Sequence, residues 1–167
     1  TRIRDVDSTH VRKLTLNNMV QDSSMIHEQL AYMLFRDAGV PAPRSGYARV
    51  FVNDELYGLY ATIEVIDNSE FLEQWYGYAD GNLYEGEYGS DLYDDWVSSF
   101  DLDNGSDVGF QDVQELTDAF DAMVTPDTFL TDADLVIDAD RYVQFAATEI
   151  WLGHWDGYAW TRNNYFI

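Results

Sequence analysis

Residues 27–67 read HEQLAYMLFRDAGVPAPRSGYARVFVNDELYGLYATIEVID, and they carry the strongest secondary-structure signals in the chain. From Ile26, just before this stretch, apolar residues recur at helical spacing on two faces, which predicts a helix buried on two sides. They are Ile26, Leu30, Met33 and Leu34 on one face and Ala31, Tyr32 and Phe35 on the other. We expect the helix to end at Gly39, because Pro41 and Pro43 follow and cannot continue it.

A β-hairpin is predicted directly after these prolines. Tyr47–Val52 and Tyr57–Val65 are rich in the β-branched and aromatic residues that favour strands. Asn53, Asp54 and Glu55 lie between the two runs, and their types favour a tight turn.

Shorter elements flank this region. Leu14–Asn18 is predicted to be a short strand, and Asp22, Ser23 and Ser24 are candidate N-caps of the helix that follows. Asn68–Tyr76 is predicted to be a short helix, capped by its first or second residue.

The second half of the chain is predicted to be mostly helical. Gly77–Gly109 reads as loops and short strands, and Phe110–Met123 as an amphipathic helix. Asp138–Leu152 is apolar nearly all round, which predicts a core helix. His154–Arg162 then forms a loop that leads into a final strand, Asn164–Ile167.

Strands with one helix come first and helices dominate later, a layout that predicts an α+β fold with two unequal lobes. The predicted division is a smaller lobe over residues 1–63, a hinge at 64–68 and a larger lobe over 69–167. A cleft between two lobes is a natural place for a ligand.

Composition excludes some partners. The chain has 31 acidic and 9 basic residues and a net charge of -22, which repels nucleic acid and anionic membranes. Such an acidic surface suits a medium rich in salt or divalent cations, and it equally suits an ordinary soluble protein. Cysteine is absent, so disulfides and cysteine-ligated metals are excluded. No apolar run is long enough to span a membrane.

Three stretches resemble the CotH kinase family, which is related to spore coat protein H. LTLNNMVQDSS at residues 14–24, together with 27–67, is similar to the family's series LNN, Q-D-x-S, L-F-R-x-x-G-V-P, V-N, Y-G-L-Y and E-x-(V/I)-D. GNLYEGEYG at residues 81–89 resembles its G-N-L-Y-K element, with Glu85 in place of the usual basic residue. LGHWDGYAWTRNNYFI at residues 152–167 resembles its W-D then N-x-Y segment.

The resemblance implies an atypical protein-kinase-like, two-lobed fold that transfers the γ-phosphoryl group of ATP, with Mg²⁺ or Mn²⁺, to hydroxyls of partner proteins. Such domains are secreted or lie on spore coats and cell surfaces. Similar domains also carry a phosphate-binding lysine before the LNN segment and an Asp-x-Asp metal motif after the last segment. Neither motif is in this chain, since Lys13, its only lysine, lies too near LNN for that role. We therefore expect a domain incomplete at both ends and little activity from this segment alone.

The resemblance assigns two residues to the chemistry. Asp156 is the candidate base that positions the attacking hydroxyl, and the alternative is a solvated aspartate on a turn. Asn164 resembles the family's metal-binding asparagine, and the alternative is a capping asparagine. Asn163 is adjacent, but alternate strand residues face opposite ways, so we expect only Asn164 to point into the site.

Three further residues are assigned to nucleotide binding. The resemblance pairs Glu28 with the phosphate-binding lysine, and burial within a helix also predicts a cationic partner for it, such as a nearby arginine. Glu64 and Ile66 lie at the predicted hinge, where backbone groups would contact adenine. Glu149 is interpreted as a support of the Asp156 loop.

Other interpretations of the chain remain open. DLDNGSD at residues 101–107 is similar to a calcium loop, but it lacks a ligand at the fifth position and a glutamate at the twelfth, so we interpret it as a polar loop. A non-catalytic adhesion module would use exposed aromatic residues, of which the chain has many. They include Trp75, Trp96, Trp151, Trp155, Trp160 and 12 tyrosines. A glycoside hydrolase would need a fixed carboxylate pair that the sequence does not single out.

Overall fold

The computed structural model describes residues 13–123 and 128–167. It divides into two compact units. The first comprises the residues up to Asp37 together with Pro41–Gly77, and the second comprises Ala38–Val40 together with Tyr78–Ile167. Both units contain helices and strands, which confirms the α+β class.

The first unit contains a three-stranded antiparallel sheet. Its strands are β1 (Thr15–Asn17), β2 (Ser45–Val52) and β3 (Glu55–Ile63), with β3 in the centre. Asn53 and Asp54 form the β2–β3 turn with φ angles of 51° and 66°. Both lie in the left-handed region that a type I′ turn requires, and this turn matches the twist of the strands. The predicted hairpin is therefore confirmed.

Helix α1 (His27–Asp37) begins three residues after Ser24, the last of the predicted N-caps, and the Asp22 side chain contacts its first residue. The Asp22 carboxylate accepts hydrogen bonds from Ser24 N at 2.9 Å, Ser24 Oγ at 2.5 Å and His27 N at 2.8 Å. The Ser24 hydroxyl, followed by the backbone N–H groups of His27 and Ser24, lowers the pKa of Asp22 to about 2. The helix ends before Gly39, whose φ of 79° only glycine adopts readily.

The prediction that this helix is buried on two sides is wrong. No residue of α1 is buried, and Leu30 and Met33 are both 42% exposed. The contacts of α1 with β2 are polar at Gln29, which donates to Gly46 O at 2.7 Å and accepts from Ser45 Oγ at 2.8 Å. Apolar spacing identifies residues that can be buried, but it does not show that a partner covers each face.

Helix α2 (Ser69–Tyr76) closes the first unit. Asn68 Oδ1 accepts from Phe71 N at 2.7 Å, which confirms the predicted cap. Residues 64–68 connect β3 to α2 without regular structure. The first unit extends to Gly77, and the predicted lobes, 1–63 and 69–167, and the hinge role of residues 64–68 stay predictions.

The second unit contains another three-stranded sheet, ordered β5–β4–β6. Its strands are β4 (Leu83–Gly86), β5 (Phe100–Asn104) and β6 (Tyr165–Phe166), and β4 pairs antiparallel with both neighbours. A 3₁₀ helix, Asp94–Ser99, precedes β5. The sheet lies at the centre of a hydrophobic core. The buried members of that core are Tyr84, Val97, Phe100, Val113 and Tyr165.

Four helices complete the second unit in the described ranges. They are α3 (Gln111–Asp121), α4 (Phe129–Ala133), α5 (Ala139–Leu152) and α6 (Tyr158–Thr161). The predicted amphipathic helix and the predicted start of α5 are both confirmed. Asp138 Oδ1 caps α5 by accepting from Arg141 N at 2.9 Å.

The prediction that α5 is a core helix is wrong. Val143, Ile150 and Trp151 are 50%, 56% and 73% exposed, whereas Glu149 is only 1% exposed. A helix that is apolar all round has no preferred face, so its sequence does not show which side packs. In the described ranges, no helix combines the length and the hydropathy needed to cross a bilayer.

Candidate active site

The loop that carries Asp156 begins at the C-terminus of α5. Gly153 has a φ of 66° and closes the helix by donating its N–H to the carbonyls of Glu149 and Ile150. His154 N also donates to Glu149 O, at 3.1 Å. The chain therefore turns sharply out of α5, and only Trp155, Asp156 and Gly157 separate His154 from α6.

Glu149 fixes the start of α6 from the buried side. Its Oε1 accepts from Tyr158 N at 2.8 Å and its Oε2 accepts from Ala159 N at 2.7 Å. His154 Nδ1 lies 3.4 Å from Oε1. Hydrogen bonds to an ionised carboxylate are among the stronger ones in proteins, and a negative charge is favourable at a helix N-terminus. The buried carboxylate therefore anchors the loop, as its interpretation as a support predicts.

Position 157 must be glycine because the Glu149 carboxylate lies against its Cα. A Cβ atom on Gly157 would lie 1.9 Å from Glu149 Oε1 and 2.5 Å from His154 Nδ1. Both distances are far below van der Waals contact, so any side chain would displace the glutamate or the loop. The glycine after Asp156 therefore permits the bidentate contact with α6.

The Asp156 carboxylate is held by two asparagine amides. Asn163 Nδ2 donates to Oδ1 at 3.1 Å, and Asn164 Nδ2 donates to Oδ2 at 3.2 Å and to the backbone carbonyl of Asp156 at 2.7 Å. Thr161 Oγ1 lies 3.4 Å from Oδ1. The structure thus brings together the predicted base and the predicted metal-binding asparagine.

The expectation that only one of the two asparagines faces the site is wrong. Strand β6 starts at Tyr165, so neither asparagine belongs to a strand. Arg162 and Asn164 have φ angles of 51° and 52°, in the left-handed region. With this irregular backbone the side chains do not alternate in direction as they do in a strand, and both side-chain amides point toward Asp156.

Glu28 lies in the first turn of α1 and is half-buried. Asn17 Nδ2 donates to its Oε2 at 3.1 Å and lies 3.3 Å from Oε1. The predicted cationic partner is not found in residues 13–123 and 128–167, where the hydrogen bonds to this carboxylate come from a neutral amide. Asn17, the first asparagine of the LNN segment, satisfies the half-buried carboxylate, a role that the sequence did not indicate.

Glu64 and Ile66 lie in the connection between β3 and α2. The Glu64 side chain accepts from Arg44 N and Nε, both at 2.9 Å, and also pairs with Arg44 Nη2. The backbone N–H of Glu64 donates to Arg44 O at 2.9 Å. Glu64 is thus hydrogen-bonded to Arg44 through both its side chain and its backbone amide.

The described residues contain no group of three or more acidic, histidine or cysteine side chains arranged to hold a metal ion. The first half of the calcium-like run is strand, because Asp101 and Asp103 lie in β5, and residues 105–107 form the loop after it. Asp107 accepts from Tyr84 Oη at 2.8 Å and from Asp112 N at 2.9 Å, so its carboxylate organises the entry to α3.

Comparisons with known proteins identify the same family as the sequence motifs. The family model described as CotH kinase protein matches residues 3–167. Invasin CotH2 and invasin CotH3 of Rhizopus delemar are each 24% identical over 164 residues, covering 89% of this chain and 27% of theirs. Spore coat protein homolog 1 of the same organism is 23% identical and is covered over 26% of its length. The chain therefore spans about a quarter of the length of these curated relatives.

Proposed function

Because the chain belongs to the CotH kinase family, we propose that this domain transfers the γ-phosphoryl group of ATP to hydroxyls of partner proteins. The observation that carries the proposal is the Asp156 carboxylate, which two asparagine amides orient on a loop anchored by the buried Glu149. Phosphoryl transfer depends mainly on positioning and charge, and a carboxylate held in this way suits the positioning of a hydroxyl.

In the proposed reaction, Asp156 accepts the proton of the acceptor hydroxyl as its oxygen attacks the γ-phosphorus, and ADP leaves. A positioned general base contributes about 10² to 10⁴ in rate. Hydrogen bonds from Asn163 and Asn164 hold both carboxylate oxygens, so the orientation of the side chain is fixed before the substrate binds. Trp155, on the same loop, is 72% exposed and would be available to cover the reacting groups.

The donor set fits a Mg²⁺ or Mn²⁺ ion that is shared with nucleotide phosphates. Asn164 donates through Nδ2 to Asp156, which leaves its amide oxygen available to a cation. Mg²⁺ prefers hard oxygen ligands, keeps several waters and is usually held by one or two protein groups plus phosphates. The bound ion would neutralise phosphate charge during transfer.

The nucleotide-binding assignments are proposals of the same kind. Glu28, which accepts from Asn17, would pair with a phosphate-binding lysine, as the glutamate of this helix does in kinase-like folds. Since Glu64 is committed to Arg44, adenine contacts at the proposed hinge would come from the backbone near Ile66.

A metal titration tests this site in the full-length native polypeptide. Asn164→Ala should raise the Mg²⁺ or Mn²⁺ concentration needed for half-maximal transfer of ³²P from γ-labelled ATP, because added metal refills a weakened site. Asn163→Ala is the matched control, since it also removes an amide contact to Asp156 but no proposed metal ligand. An unchanged metal requirement in Asn164→Ala would contradict the metal assignment.

A second candidate function is a surface adhesion module without catalysis. Trp151, Trp155 and Trp160 are 73%, 72% and 67% exposed, as a stacking or protein-contact surface requires. The side chain of Trp96 lies outside the described residues. The relatives named invasins and spore coat protein homolog favour a place on a cell surface or spore coat. Loss of cell binding in Trp155→Ala and Trp160→Ala, with no ATP-dependent transfer by the wild type, would favour this candidate.

A further inference from the structure

A tight turn, residues 87–91, follows β4 and leads into the 3₁₀ helix. Ser90 N donates to Glu87 O at 2.8 Å and closes the turn, and Gly89 has a φ of 87°. Ser90 is fully buried, and its hydroxyl lies 2.7 Å from Ser99 Oγ. The turn is therefore held by its own hydrogen bond and by Ser99, and neither contact involves α6.

The same turn contacts the segment that carries α6 at several points. Gly89 N donates to Arg162 O at 2.8 Å, and Tyr165 Oη donates to Ser90 O at 2.7 Å. The Asp91 carboxylate accepts from Tyr158 Oη at 3.0 Å and lies 3.6 Å from Arg162 Nη1. Asp91 thus contacts the first residue of α6 and the residue immediately after it.

These contacts matter because α6 separates the two halves of the candidate site. Asp156 lies just before the helix, and Asn163 and Asn164 lie just after it. Glu149 holds only the first two residues of α6. The C-terminal side of the helix, from which the asparagines reach back to Asp156, is held by Asp91 and its turn.

We propose that Asp91 is a positioning residue for Asp156: it clamps Tyr158 and Arg162, and so keeps Asn163 and Asn164 against the Asp156 carboxylate. The inference rests on the proposed phosphoryl transfer. The Asp91 side chain is only 17% exposed, so water competes weakly for its hydrogen bond to the half-buried Tyr158, whereas the Arg162 side chain is 49% exposed. Arg162 has a left-handed backbone, which a non-glycine residue keeps only when its surroundings enforce it.

The kinetic test uses Asp91→Asn, Asp91→Ala and Tyr158→Phe in the full-length native polypeptide. Small misplacement of reacting groups can cost up to about 100-fold in rate, so we expect kcat to fall about 10- to 100-fold in Asp91→Ala. At saturating Mg²⁺, the KM for ATP should rise by less than kcat falls, because Asp91 itself makes no proposed nucleotide contact and added metal offsets a displaced Asn164. Asp80→Asn is the control, since it removes an exposed carboxylate of the same unit and should leave both constants unchanged.

A double-mutant cycle separates a specific clamp from general destabilisation. If Asp91 acts through the Tyr158 hydroxyl, the effects of Asp91→Asn and Tyr158→Phe on kcat should be clearly less than additive. Fully additive effects, or a KM for ATP that rises as much as kcat falls, would overturn the proposal. Asp91→Asn and Tyr158→Phe keep nearly the native shape, so they test the clamp even if Asp91→Ala does not fold.

Hydrogen exchange tests the clamp without relying on activity. Asp91→Ala and Asp91→Asn should speed amide exchange in a peptide covering residues 158–164, whereas Asp80→Asn should not. If the wild type transfers no phosphoryl group, the proposed function fails, and the exchange result still decides whether Asp91 holds the loop. Unchanged exchange in both Asp91 variants would overturn the clamp whatever the wild-type activity.

Discussion

Asp22 shows how a single carboxylate defines the start of a helix. Three hydrogen bonds from Ser24 and His27 converge on it, and His27 Nδ1 lies 3.3 Å from Oδ1. These donors favour the ionised form, which is why the pKa falls from 3.8 to about 2. Since the folded pKa is depressed, the charge stabilises the fold above the ordinary pKa, and this contribution is lost as the pH falls through about 2.

Asp22→Asn keeps a capping side chain but removes the charge. We expect the variant to melt at a lower temperature than the wild type near pH 6, and the difference to shrink between about pH 4 and pH 2. Parallel thermal melts by circular dichroism measure this difference. A gap that stays constant down to pH 2 would show that the charge is not what stabilises the start of α1.

At the residue scale, the sequence predicted part of the candidate site. Asp156 and Asn164 were identified through the W-D and N-x-Y motifs, and the structure places them in hydrogen-bond contact. The prediction for Asn163 is wrong because strand alternation does not apply where Arg162 and Asn164 have left-handed backbones. Asp91 went unnoticed because nothing local distinguishes it among 31 acidic residues, and its partners lie about 70 positions away in sequence.

At the scale of elements, the buried Glu149 couples the end of α5 to the start of α6. It is 1% exposed, and its two oxygens are matched to two backbone N–H groups. Glu149→Gln should lower the free energy of unfolding by about 2 kcal/mol, because the amide NH₂ would face a backbone donor and leave it unsatisfied. Urea denaturation measures the loss.

The control is Gln114→Glu, the reverse substitution at a half-exposed position of α3 where the side chain donates to Asp118. It should lower the free energy of unfolding less than Glu149→Gln does. If both variants were equally stable, the buried carboxylate would not be the anchor of the loop.

The sequence predicted the elements that turn and cap residues define, but it did not predict which of their faces are buried. The β2–β3 hairpin and the starts of α2 and α5 follow from turn and cap residues that act over two to five positions. The exposure of α1 and α5 depends on which other elements pack against them, and apolar spacing carries no information about that. The three-stranded order β5–β4–β6 also joins segments that lie far apart in sequence.

At the scale of the whole molecule, the net charge of -22 predicts a salt-dependent stability. Repulsion among acidic groups opposes the compact state, and salt screens it. The melting temperature should therefore rise between about 0.05 M and 1 M NaCl. A flat or falling melting temperature would count against this explanation.

The paired strands β4 and β5 offer a local version of the same test. Burial, followed by the nearby carboxylates of Asp103, Asp101 and Glu87, raises the pKa of Glu85. Glu85→Lys should relieve this repulsion and make the melting temperature less dependent on salt. A salt dependence equal to that of the wild type would show that this cluster contributes little.

The most direct test of the central claim compares Asp156→Asn with the wild type in the full-length native polypeptide. Asparagine nearly preserves the shape of the side chain but cannot accept the hydroxyl proton. Metal-dependent transfer from ATP should fall by about 10² to 10⁴ while nucleotide binding survives. Asp103→Asn, an exposed change on β5, should stay within about twofold of the wild type. Transfer close to the wild-type rate by a folded Asp156→Asn protein would contradict the proposed site and favour the adhesion module.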